Sequence, residues 1–271
     1  MGAMDFDFQH IAVAFRMQPG LRRLDGGEAQ LTALVPGSQL YRERLKVVQA
    51  GQCFHSQPGF NARPALDAIA AQASLQGLAI ALTTPDAIPL AFEEDFAVLD
   101  GNTGQLVWLC VCTPSHWSPE EKLGLDFAAV HAPVADNTAL QAAASHLVRL
   151  ATGGERWERF VWTISPSPRY DQHPQRQQRT PWPTGLAPAD FAAACFLRAE
   201  RQTFFPVGRG TRQAVFTIRV MLQPLVQAIR TPEQARRMHD SLASMSDAVL
   251  AYKNLTAARE PVLRWLGESF S

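Results

Sequence analysis

The stretch Leu197–Leu222, LRAERQTFFPVGRGTRQAVFTIRVML, reads as two strands around a turn, with charge where a sheet ordinarily takes apolar residues. Side chains alternate along a strand. Arg198, Glu200 and Gln202 therefore share one face, and Ala199, Arg201 and Thr203 the other. In the partner strand Val215, Thr217 and Arg219 share a face opposite Phe216 and Ile218. A charge on the core side of a sheet is costly unless it is paired or faces a polar ligand. Two readings stand side by side. One is a structural Glu–Arg pair at a sheet edge or interface. The other is a pocket wall that aims an acid and a guanidinium at a bound molecule.

The thiols point to less chemistry. Cys53, Cys110, Cys112 and Cys195 form no CxxC pair, and Cys110 and Cys112 lie two apart in an apolar strand, both on one face. They read as buried small side chains rather than metal ligands. Their scatter also argues against an iron–sulfur cluster held by this chain. A reduced, cytoplasmic protein is expected.

The elements that must position these groups are legible as periodic segments in a chain of 271 residues. Formal net charge is zero, which disfavours nucleic acid as a partner. No apolar run is long enough for a membrane span, and no signal peptide is visible. Residues 39–51 and 64–79 have helical patterns. DFAVLD and QLVWLCVCT, joined by GNTG, read as a hairpin. Ser118 and Glu121 match a capping box, and 137–154 reads as one helix. ERFVWTIS is a strand, and the Pro-rich residues 165–190 read as a long surface excursion. Residues 232–254 read as one long amphipathic helix, with a short one after Pro261. Periodicity alone supports only an α+β fold with an antiparallel sheet, and the chain is expected to form a single domain over residues 5–271 with helical extensions at both ends. The order of strands and helices resembles a PAS-like domain, which encloses a ligand between its sheet and the intervening helices.

Six ordered blocks, spread over residues 12–230, resemble the haem-dependent oxidative N-demethylase family. They are VAFRMQPGLRRL, EEDFAVL, TPSHWSPEEKLGLDFAAVHAPV, the Arg159/Trp162 strand, RAERQTF and AVFTIRVML. The resemblance implies a haem-binding PAS-like domain with haem b. It also implies oxygen-dependent demethylation of a small secondary amine such as dimethylamine. This chain shows no dinucleotide fingerprint and no cluster-type cysteine spacing. Flavin and an iron–sulfur cluster are therefore expected only on a separate reductase. Two departures stand out. Val161 occupies a position where the family usually has Asn, and FFPVGRG replaces its usual Leu-Arg-Arg-Leu-Pro run.

The resemblance also implies roles. His131, in the VHAPV block, is the expected axial ligand, with His146 as the alternative. Arg219 is the expected donor toward bound oxygen, with Arg159 as its alternative or as a clamp for the haem carboxylates. Glu200 would hold the amine or take its proton. Lys122, Arg201 and Gln202 are further candidates for cofactor contacts, or plain structural pairs. A haem-based gas or redox sensor and a haem-less binding or assembly subunit are the alternatives. Whether the chain forms an oligomer with like or unlike subunits stays open.

Overall fold

The computed structural model describes residues 6–25, 27–78, 85–208 and 210–270. Its strands are β1 (Arg22–Arg23), β2 (Phe54–Ser56), β3 (Glu94–Asp100), β4 (Leu106–Cys110), β5 (Trp157–Ser165), β6 (Phe196–Pro206) and β7 (Gln213–Pro224). They form one sheet in the order β1-β5-β6-β7-β3-β4-β2, and every pairing is antiparallel. The α+β expectation holds. The GNTG hairpin is there, with Gly104 at φ 73° where a side chain would be strained.

Register assigns every strand side chain to one of two faces. Arg159, Val161, Glu200, Gln202, Ile218 and Ala97 share what we call the front. Phe160, Trp162, Ala199, Arg201, Thr203, Arg219 and Phe96 share the back.

The back face carries two apolar clusters. Trp162, Leu197, Ala199 and Met221 pack with Met238, Leu242, Leu250 and Val262. These last come from the helices Pro232–Ala243, Asp247–Tyr252 and Thr256–Ser269. Phe96, Val98, Trp108, Phe205 and Val215 pack with Ala65, Ile69 and Ala73 of the helix Arg63–Leu75. Each such side chain contributes about 1.5–3 kcal/mol on burial. A polar belt runs between the clusters. In it Arg201 Nε meets Glu158 at 2.5 Å, Thr203 and Thr217 bond at 2.7 Å, and Arg219 Nε meets Glu93 at 2.7 Å. The short helices between β4 and β5 serve the front, where Trp117 and Leu123 pack on Ala97, Leu109 and Val111.

Several boundaries differ from expectation. The segment 232–254 is two helices, because Ser246 caps a new one by accepting from the Val249 N–H. The segment 137–154 is also two, Thr138–Ala142 and Ala144–Ala151. The helix expected over 64–79 ends at Leu75, and residue 79 lies outside the described residues. Ser118 stands at the N-cap of Pro119–Lys122, but no capping box forms: the Glu121 N–H bonds the Ser118 carbonyl instead (3.2 Å). The Pro-rich stretch is not a surface excursion throughout, since Ser165, Ser167, Asp171, Gln172 and His173 are buried.

Two buried acids open β3. Asp95 takes Arg44 Nη1 at 2.8 Å, the Cys112 and Thr113 N–H groups at 2.8 Å, and the Thr113 hydroxyl at 2.9 Å. Arg44 is fully buried, and its other donors meet the carbonyls of Pro89, Glu93 and Glu94. This network joins the start of β3 to the exit of β4 and ends β4's strand geometry at Cys110.

Glu94 is the second acid. Its Oε2 accepts from the Thr32 N–H (3.0 Å), while Oε1 has no partner among the described residues. Burial pushes its carboxyl up to about 7, outweighing the Thr32 bond and the Arg219 charge. A pKa raised on folding contributes stability at low pH that is lost as pH rises through the folded value. From pH 5 to 8 this group is expected to cost about 2–3 kcal/mol. Glu94→Gln should remove that part of the pH dependence, which urea midpoints of both proteins at pH 5 and 8 will check.

Candidate functional site

The front face gathers its chemistry around Glu200. Alternation along β6 puts Arg198, Glu200 and Gln202 in a row, and β5 adds Arg159 opposite Gln202. Ser115, from the segment after β4, donates to Glu200 Oε1 and accepts from Arg198 Nε (2.8 Å). Gln202 Nε2 donates to Glu200 Oε2 at 2.8 Å. Both carboxylate oxygens thus have a neutral donor, which fixes the plane of the acid.

Arg198 is buried, and its remaining donors hold the backbone of two loops. It bonds the carbonyls of Thr113 (3.2 Å), Arg169 (3.1 Å) and Tyr170 (2.9 Å). Burial lowers its pKa, and the Glu200 charge opposes that shift. This explains the buried start of the Pro-rich stretch: its carbonyls are satisfied by a side chain rather than by water.

His131 ends the helix Phe127–His131 and feels the charges of Arg159 and Lys122. Its Nδ1 bonds the Phe127 carbonyl at 2.7 Å, and its ring stacks on Phe127 at 4.1 Å. A carbonyl only accepts, so Nδ1 carries the proton and Nε2 keeps its lone pair. Burial lowers the pKa of His131 and so favours the neutral ring. Lys122 Nζ donates to the Val130 carbonyl at 3.3 Å. The alternative ligand, His146, is exposed on the helix Ala144–Ala151.

Arg159 is half-buried and its Nε has no partner among the described residues. Burial lowers its pKa, with Glu200 and Tyr252 as the charges that oppose this. Lys253 lies in the same field. Burial brings its pKa down to about 8, against the pull of Glu200.

One expectation is corrected. Glu200 and Arg219 do not line one pocket, because β6 and β7 pair Arg201 with Arg219 and Glu200 with Val220. Arg219 and Arg201 project from the back, into the polar belt with Glu93 and Glu158. The structure therefore brings together Glu200, Gln202 and Arg159 on the front, keeps His131 near enough to Arg159 and Lys122 to feel their charges, and leaves Arg201 and Arg219 behind the sheet. Ser115, Arg198 and Lys253 were not anticipated as site residues. Only Arg198 carried a usable signal, its place two residues before Glu200 on one strand.

One twisted sheet, closed by helices behind and carrying its chemistry in front, places the chain among α+β proteins built on a single antiparallel sheet. The family model described as haem-dependent oxidative N-demethylase, alpha subunit-like, matches residues 78–263. The match covers well over half of the chain, and the chain belongs to that family. The front-face donors suit a haem. His131 offers a neutral ring nitrogen, and Arg159 offers a buried guanidinium N–H without a partner, the kind of donor a carboxylate takes. Among the described residues no group of three His, Cys, Asp or Glu side chains could hold a bare metal ion, and no helix is long and apolar enough to cross a membrane.

Proposed function

We propose that this chain is the haem-binding subunit of an oxidative N-demethylase acting on a small secondary amine of the dimethylamine type. Bound haem b would supply a reducible iron for chemistry with molecular oxygen. Electrons would come from a separate reductase carrying flavin and an iron–sulfur cluster. The strand order β5-β6-β7-β3-β4, with short helices between β4 and β5 over one face, supports the PAS-like reading of the domain.

The observation that carries the proposal is the His131–Phe127 bond. It holds an imidazole in the tautomer that leaves Nε2 free to bind iron, near enough to Arg159 to feel its charge. Arg159 would hold a haem carboxylate. Lys122 would add positive charge beside it. A secondary amine is cationic in neutral water, and Glu200 would bind that cation by charge. Its carboxylate would then take the ammonium proton, freeing the nitrogen lone pair. Ser115 and Gln202 orient the acid for this work. Arg219 has no part in this reading.

An absorption spectrum of the haem-supplemented protein tests it, taken before and after dithionite and carbon monoxide. The wild type is expected to show a Soret band that shifts with carbon monoxide. His131→Ala should lose the band or alter it strongly. A wild type with no Soret band under any condition would overturn the proposal, as would a variant with an unchanged spectrum.

A further inference from the structure

β1 pairs β5 at Trp157 and Glu158, and from Arg159 onward the outer edge of β5 meets no strand among the described residues. A cleft of about 120 Å³ runs along this edge, closed on its far side by the N-terminal segment. Phe15, Phe160 and Trp162 form apolar walls, and Arg159, Lys253 and Arg16 bring positive charge. Lys253 Nζ donates to the Trp162 carbonyl at 2.7 Å and sits 5.4 Å from the Phe15 ring centre and 5.8 Å from that of Trp162. An ammonium has three N–H donors, so donors remain beyond that one bond.

The acid in the cleft wall does not balance these cations, and Glu200, whose charge both Arg159 and Lys253 feel, is one acid against two cations. Glu158 already meets Arg22 and Arg201, each at 2.5 Å. Neither Arg159 nor Lys253 forms an ion pair among the described residues, and Arg159 Nε is buried without a partner. A half-buried guanidinium and a half-buried ammonium in one small cleft are complementary to a carboxylate. The volume suits a short-chain acid or one carboxylate arm of a larger molecule, and is too small for a porphyrin ring.

We propose that the β5-edge cleft is a carboxylate-binding site whose two anchoring groups are Arg159 and Lys253. This rests on the cleft itself and holds whether or not the haem reading does. Two sources share the chemistry: a free short-chain carboxylate, and a carboxylate of bound haem.

The test titrates sodium propionate into the full-length protein at constant ionic strength, with and without bound haem, following the ligand by saturation-transfer NMR. Propionate is expected to bind the haem-free protein, and methylammonium is expected not to displace it. Arg159→Gln and Lys253→Met should each weaken binding about tenfold or more. Circular dichroism would show that each variant keeps its fold, and Lys253→Arg, which restores charge, should recover binding. Binding that persists with haem loaded assigns the cleft to a free carboxylate. Binding confined to the haem-free protein assigns it to the cofactor's own. No binding to the haem-free wild type overturns the site, as does binding that a folded Arg159→Gln or Lys253→Met variant leaves unchanged. A protein that never takes up haem would fail the functional proposal while leaving this one testable.

Discussion

Glu200→Gln is expected to lower amine-dependent turnover by about 100-fold or more while haem stays bound. The substitution keeps the shape and removes the charge. It also replaces an acceptor oxygen with an NH2 group, yet Ser115 and Gln202 both donate to this carboxylate. One of those bonds must break or reverse, so the side chain loses its fixed plane as well as its basicity. A cationic amine would lose its counter-charge, raising KM, and the loss of a proton acceptor would lower kcat. Oxygen consumption driven by dimethylamine and a reductase measures both, with haem content read in parallel. Unchanged turnover in a haem-replete variant would remove Glu200 from the mechanism.

The largest effect on stability should come from Arg44→Met, at about 3–5 kcal/mol. Arg44 is fully buried and holds Asp95 together with three backbone carbonyls. Removing it leaves a carboxylate in the core facing only N–H and O–H donors, and leaves the carbonyls without their partner. A domain stable by about 5–15 kcal/mol would lose a large part of its margin. Urea unfolding with an unchanged m-value would measure the loss as a lower midpoint. Adding Asp95→Asn should recover part of it, because the buried charge then disappears from both sides of the pair. A loss below about 1 kcal/mol would mean that water or a rearranged side chain takes over the role of Arg44.

Local patterns made much of this fold legible and left the site half-read. Alternation put Arg198, Glu200 and Gln202 on one face correctly, because that parity is a property of a single strand. It could not relate Glu200 to Arg219. That depends on register, which the turn between β6 and β7 sets, and one residue of slip moves every side chain across the sheet. Alternation placed Arg198 but gave it no role, because its partner Ser115 lies 83 residues away in sequence. Lys253 is 91 residues from Trp162, and Arg44 is 51 from Asp95. Arg44 in particular looks like the polar face of an amphipathic helix, and nothing near it in sequence marks it as buried. The family resemblance singled out His131 and Arg159 by another route, through blocks rather than through pairwise contacts.

Glu200 and Arg201 are bonded neighbours that live in different surroundings. One meets Ser115 and Gln202, the other Glu158 and the Ala29 carbonyl. The sheet works as a partition wall. At Glu200 and Gln202 one parity of β6 serves the candidate site, and at Ala199, Arg201 and Thr203 the other serves the fold. Such a strand can change its chemistry by substitutions two residues apart without disturbing the scaffold that carries it. Of the two departures near this hairpin, Val161 lies on the front alone, whereas the FFPVGRG run crosses the wall, with Phe204 in front and Phe205 packed behind.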